Sequence, residues 1–194
     1  MADLLVPFAG DAAPDLAERL IERFGSLARA MAASPRQLRE AARGHEQACA
    51  AILGARRLVD AALGEDAKRA PVRGDEGSLH RYLRARLALA ETERLHAVFC
   101  DAQRGYLADE TVCEGSGGRI EARARPLIER ALALGAAGFL LAHNHPSGIC
   151  RPSREDIAGT RRIRDIAAAL ELELIDHLIV TRRSVYSMRA GGCF

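Results

Sequence analysis

The chain has 194 residues, enough for one domain or for a small domain joined to a medium one, and 48% of them are apolar, so a core can form without staples. Lys and Arg number 28 against 26 Asp and Glu; the resulting formal charge of +2 gives no electrostatic case for nucleic acid on its own. The five cysteines (Cys49, Cys100, Cys113, Cys150 and Cys193) are an odd, scattered set with no C-x-x-C pair, which argues against a zinc ribbon or a redox motif. The opening "MADLLVPFAGDAAPDL" has neither a basic leader nor a long apolar run, so it reads as neither signal peptide nor membrane span, and the expected setting is a reducing cytoplasm.

From Asp15 to about Leu63 the pattern is helical. Leu16, Leu20, Ile21 and Phe24 form an apolar stripe at helical spacing, and Gly25 stops that helix. A short second helix opens at Ser26. Ser34-Pro35 starts a third, with Ser34 as cap and Pro35 in the first turn, and Gly44 separates it from a fourth. Charged "GEDAKRAPVRGDEGS", residues 64–78, is the clearest linker, and the expected division is a helical domain over 1–69, a linker over 70–77 and a second domain over 78–194.

Beyond the linker the pattern is mixed. "LHRYLRARLALA" reads as a helix, "RLHAVFCD" as a strand and "YLADETVCEG" as its returning partner, with "EGSGG" as a loop. "PLIERALALG" has Pro near its start and Gly at its end, as a helix does. "AAGFLLA" is a buried strand, Ser153 to Leu170 an amphipathic helix, and "LELIDHLIV" and "SVYSM" are strands joined by "TRRS". The expected class is α+β with a mixed sheet and an antiparallel component.

The chemistry concentrates in "AHNHPSGICRPSRED". Side chains of a strand alternate, so His143 and His145 at its end point the same way and Asn144 the other. Ser153 looks like the cap of the next helix, which puts Asp156 in its first turn, and the Pro-rich loop can bring that turn back to the strand end. Two His and one carboxylate with an open fourth position form the usual catalytic zinc arrangement. A zinc ion there generates hydroxide at neutral pH. The competing reading makes Asp156 only a helix-start acid favoured by the dipole. H-x-H alone is common by chance; H-x-H, seven residues, Ser, two residues, Asp is far more specific. No H-E-x-x-H, deaminase signature, G-x-S-x-G or P-loop is present.

This string resembles the JAMM (JAB/MPN) metalloenzyme motif in its RadC form. "RLHAVFCD", the stretch from Asp156 through Thr160-Arg161-Arg162-Ile163, and "IDHLIV" with Tyr186-Ser187 resemble the rest of the RadC-type carboxy-terminal half, so the likeness runs from about Leu79 to the end. It implies a JAB/MPN domain of cytidine-deaminase-like fold and a zinc-dependent peptidase or isopeptidase acting on a protein or peptide. In that family an upstream glutamate serves as general base. Glu91 and Glu93 are both available, and the spacing to Asp101 favours Glu93. The resemblance also gives Ser153 a second role, steadying the oxyanion. His177, beside Asp176, reads as a structural strand residue, with orientation of a metal ligand as the alternative for this pair. His96 lies inside a strand, His45 and His80 read as solvated helix residues, and Cys150 lies in the motif loop within reach of a metal.

"LIERFGSLARAMAASPRQL" is similar to the amino-terminal helix-hairpin-helix region of RadC proteins. The turn that would meet a DNA phosphate is Ala42-Arg43-Gly44-His45-Glu46. It has lost one glycine and gained an acid that repels phosphate. A docking or structural module is therefore favoured over DNA contact through Arg43 and Gly44. The alternative to hydrolysis is a non-catalytic, DNA-associated RadC-like factor or a metal-binding scaffold. A homodimer is a further expectation from the MPN likeness.

Overall fold

The structure is a computed structural model, and it describes residues 1–115 and 124–194; part of the expected "EGSGG" loop lies outside the described residues. The chain divides into two compact units, Met1–Ala62 and Leu63–Phe194.

The first unit is helical: α1 (Ala2–Ala9), a 3-10 turn (Gly10–Ala12), α2 (Ala13–Phe24), α3 (Leu27–Ala32), α4 (Pro35–Ala41) and the start of α5 (Glu46–Arg69). Its punctuation follows the sequence. Gly25 adopts φ 78° and caps α2, Ser26 Oγ accepts the Arg29 amide, and Ser34 and Gln37 close a capping box ahead of Pro35. The core stripe of α2 is Ala13, Leu16, Ala17 and Leu20; Ile21, expected on it, lies 38% exposed, because one 100° step past Leu20 carries it off the buried face. Helix α1 has no counterpart in the sequence reading. Pro7 argues against it, and Leu5, buried with Leu16 and Leu20, holds it in place.

Helix α5 runs through Gly64 into the charged 64–78 stretch and ends at Arg69. Ala67 is buried with Tyr82 and Leu83, and Lys68 and Arg69 complement the helix C-terminus. Those gains offset a helical glycine's penalty of about 1 kcal/mol.

The second unit holds α6 (Gly77–Leu87), β1 (Arg94–Cys100), β2 (Tyr106–Glu114), α7 (Ala124–Ala133), β3 (Gly138–Asn144), α8 (Arg154–Ala168), β4 (Glu173–Val180) and β5 (Val185–Ser187). The strands form one mixed sheet in the order β2-β1-β3-β4-β5. β1 is antiparallel to β2 and β3, β3 and β4 are parallel across the α8 crossover, and β5 returns antiparallel. Alternation assigns the faces. Leu95, Ala97, Phe99, Phe139 and Leu141 meet α7 and α8 residues such as Leu127 and Ile163. Val98, Cys100, Leu140, Ala142 and Leu178 pack with Tyr82 and Leu83 of α6. Every residue of β3 is buried, which fits its apolar run at the centre of the sheet. Among the described residues, no helix is long and apolar enough to cross a membrane.

Candidate metal centre

β3 carries the site. His143 is its penultimate residue and pairs with Leu95 of β1, which places its ring on the α8 side of the sheet. His145 follows directly, its amide held by the Val180 carbonyl at 3.2 Å. A tight turn then reverses the chain: the Gly148 amide donates to the His145 carbonyl, and Gly148 takes φ 80°, a left-handed conformation that favours glycine.

Asp156 arrives from the other side. Ser153 caps α8 in a complete capping box: its Oγ accepts the Asp156 amide at 3.0 Å, and Asp156 Oδ2 accepts both the Ser153 amide and hydroxyl at 2.8 Å. The cap thereby turns the carboxylate toward the strand end. Oδ1 lies 3.4 Å from His143 Nε2, and Oδ2 lies 3.4 Å from His145 Nε2. The ligand atoms of His143, His145 and Asp156 all fall within 4.8 Å of one another, and His143 and Asp156 are buried.

The hydrogen bonds show what the three groups lack. His145 Nδ1 donates to the Ile149 carbonyl at 2.8 Å, so in the neutral ring Nε2 keeps its lone pair. That Nε2 faces His143 Nε2 at 2.8 Å. Two imidazole nitrogens and a carboxylate oxygen pointing at one place need an electropositive guest, a proton or a cation. The donor set fits zinc: two imidazoles and one carboxylate are a catalytic zinc's protein ligands. Asp156 Oδ2 already serves Ser153 twice, so Oδ1 is the oxygen left open to a cation.

The electrostatics agree. Burial pushes the Asp156 pKa up, but the neighbouring His143 and His145 rings and the Ser153 amide outweigh it and hold the carboxyl well below the usual range. The His145 pKa is raised, first by its hydrogen bond to Asp156, against the opposing effect of burial, and further by the Ile149 carbonyl and the charges of Asp156 and Glu93.

Glu93 is exposed immediately before β1, and its charge is felt at His145. Extending the Leu95–His143 register by two residues sets Glu93 across from His145 on the same face. Glu91 is exposed in the preceding bend. The segment is fastened by Asn144, only 1% exposed: its Oδ1 accepts the Arg94 amide at 2.8 Å, and its Nδ2 donates to the Thr92 and Ala90 carbonyls at 3.0 and 3.3 Å. One tripeptide thus presents two metal-ligand candidates on one face of β3 and grips the chain bearing Glu93 from the other. The role of Asn144 was not read from the sequence, although a buried Asn between two directed histidines must find partners.

His177 is fully buried and lies against His143, Nε2 to Nδ1 at 2.8 Å, while its Nδ1 meets Thr160 Oγ1 at 2.6 Å. Thr160 was also missed; its place one helical turn after Asp156 was the available signal. Asp176 points to the opposite face. It accepts the amides of His177 and Arg189 and the Ser187 hydroxyl, holding β4 to the strand end of β5, and it makes no hydrogen bond with the His143 or His177 ring. Cys150 Sγ turns to the carbonyls of Ile179 and Ser184, outside the three-ligand group. His45 sits in the turn before α5 rather than on a helix, and His80 of α6 is fixed by the Gly74 carbonyl at 2.6 Å. Arg43 and Gly44 occupy the exposed α4–α5 turn, Gly44 with φ 81°, and Arg43 lines a cleft with Arg19, Arg23, Glu22 and Glu40.

Comparison with known families settles the kinship. The family model described as RadC-like JAB domain matches residues 75–193. The chain belongs to the RadC-like JAB domain family. A UPF0758 protein of Burkholderia thailandensis is 37% identical over 178 residues, covering 91% of this chain and 68% of that protein. Those of Nitrosococcus oceani and Rhodobacter capsulatus are 37% and 35% identical, covering 98% and 91% of this chain and 88% and 83% of their own lengths. Against the Burkholderia pseudomallei relative the chain spans 64% of that protein's length. The RadC-like match contains all three members of the His143–His145–Asp156 group, together with Glu93, Ser153, Thr160 and His177.

Proposed function

We propose that this RadC-like JAB domain protein is a zinc-dependent hydrolase of the JAMM type, cleaving an amide or isopeptide bond in a protein or peptide. The observation that carries the reading is the convergence of His143 Nε2, His145 Nε2 and Asp156 on one point. His143, His145 and Asp156 would hold the ion, which supplies a Lewis acid and a nucleophile at neutral pH. Glu93, tethered by Asn144 across from His145, takes up a proton from the attacking water and returns it to the leaving amine. Ser153 holds Asp156 in aim, and its hydroxyl can serve a developing oxyanion only by turning from Asp156 Oδ2. Five free thiols fit a reducing cytoplasm. The cleft at Arg43 mixes arginines with Glu22 and Glu40, and Glu46 opens α5, so charge lends no support to a DNA-associated role.

Elemental analysis tests the metal: the wild type retains stoichiometric zinc and His143→Ala retains none. Equal content in both removes the site. Substrate trapping tests turnover: Glu93→Gln binds zinc and captures uncleaved protein partners that the wild type releases.

A further inference from the structure

We infer that Thr160 and His177 form a directed hydrogen-bond relay that fixes His143 as its Nδ1–H tautomer, so that the Nε2 lone pair is presented to the cation. The inference deepens the metal reading above and rests on it for its function.

The direction of the relay follows from its buried end. The Asp156 carbonyl can only accept, and Thr160 Oγ1 lies 2.6 Å from it, so the single hydroxyl proton points there. Thr160 Oγ1 is then an acceptor on its other side, where His177 Nδ1 lies at 2.6 Å, and His177 must carry its proton on Nδ1. The His177 ring is sealed from solvent and has no carboxylate in hydrogen-bond contact, so it stays neutral and its Nε2 is bare. A bare Nε2 at 2.8 Å accepts from His143 Nδ1–H. His143 then has one lone pair left, on Nε2, aimed at His145 and Asp156.

The opposite polarity is self-defeating. If the Thr160 hydroxyl donated to His177 Nδ1, His177 Nε2–H would donate to His143 Nδ1. The His143 proton would move to Nε2 and block the ligand position. Free imidazole side chains favour Nε2–H, so the protein must impose the ligating form, and here the helix that delivers Asp156 also supplies the anchoring carbonyl. Ligating histidines usually donate to a carboxylate, a carbonyl or water; a neutral His backed by a Thr does the same without placing another charge beside the metal. Thr160 and His177 are positioning residues, since they act through His143.

The test is the nitrogen-15 spectrum of the metal-free full chain labelled at histidine, recorded on the alkaline side of histidine titration, where long-range couplings report which ring nitrogen bears the proton. His143 and His177 are both expected to carry it on Nδ1. Thr160→Val removes the hydroxyl and keeps the shape, so it returns both rings toward Nε2–H and weakens zinc binding about 10- to 100-fold in chelator competition. Thr160→Ser restores both readouts. A wild-type His143 with bare Nδ1 overturns the inference, as does Thr160→Val with unchanged tautomers and unchanged zinc affinity. If Thr160→Val fails to fold, the wild-type spectrum alone decides. That spectrum needs no metal, so a chain showing both Nδ1 protons but taking up no zinc removes the proposed function and upholds the tautomer assignment.

Discussion

Two histidine–aspartate clusters lie on opposite faces of the same sheet. On the α6 face, Asp109 accepts from His96 Nε2 at 2.8 Å, from Tyr82 at 2.7 Å and from the Tyr106 hydroxyl. On the α8 face, Asp156 meets His143 and His145. Both carboxyls are held far below their ordinary pKa, in each case against the upward push of burial. They differ in the count of protons against lone pairs. Asp109 is ringed by three donors, and Lys68 and Arg86 lie over the two tyrosine rings, so the cluster is closed. At Asp156 two imidazole nitrogens face each other with nothing to share but a guest. The first cluster is satisfied by its own donors, whereas the second is the group that could hold a metal ion, although both draw on the same residue types.

The sharpest way to break this contrast is to add zinc. A ligand present at about 1,000 times its Kd stabilises by about 4 kcal/mol. For a chain of this size that raises the unfolding midpoint by roughly 8–16 °C. The wild type and His96→Ala are expected to show the rise, the latter from a lower starting midpoint; His143→Ala is expected to show none. Thermal scans with and without zinc decide it, and a zinc shift that survives in His143→Ala would place the ion elsewhere.

Asp109→Asn carries the next largest effect. It removes an anionic acceptor from three donors, two of them buried, and sets an amide N–H against one of the tyrosine hydroxyls. The expected loss is roughly 2–4 kcal/mol in denaturant unfolding, with zinc affinity unchanged. If zinc binding falls in step with stability, the two faces are not independent.

The sequence made the α8-face cluster legible and left the α6-face cluster unread, for a physical reason. His143, His145 and Asp156 depend on local rules, strand alternation and a helix cap, which act within a few residues. The Asp109 cluster joins α6, β1 and β2 through pairing that only the tertiary register creates, and nothing local at His96 announces it. Thr160 and His177 fall between these cases: each lies near a motif residue, but their meeting depends on α8 crossing to β4. The same division explains the elements. Caps at Ser26, Ser34 and Ser153 and the glycine stop at Gly25 were readable, whereas the run of α5 past Gly64 is decided by Ala67 packing on α6.

The two clusters also separate by pH. A raised His145 pKa means that the proton must leave before a cation can take Nε2, so zinc affinity falls as pH drops, beginning above the ordinary imidazole value of 6.5. The slope is about tenfold per pH unit for each proton displaced. Asp109 has a depressed pKa, so its stabilisation is in full force above the ordinary carboxyl value of 3.8 and is lost only as pH falls below it. Zinc titrations across neutral pH should therefore be identical in the wild type and Asp109→Asn, while the stability gap between them, full at neutral pH, closes as pH falls below 3.8. A zinc profile that is flat through neutrality would show that no histidine proton is exchanged.

Ser153→Ala is the smallest of these tests and separates aiming from chemistry. The variant loses the hydroxyl that caps α8 and donates to Asp156 Oδ2, but the Ser153 amide still donates to that oxygen. Losing the cap costs about 1 kcal/mol, and zinc affinity falls by less than tenfold because Oδ1, the oxygen open to a cation, is untouched. Ser153→Thr restores the cap and with it the stability. If turnover on a trapped substrate collapses in Ser153→Ala while zinc content and the unfolding midpoint barely move, the hydroxyl acts on the reacting group; if all three fall together by a small amount, its work is finished once Asp156 is in place.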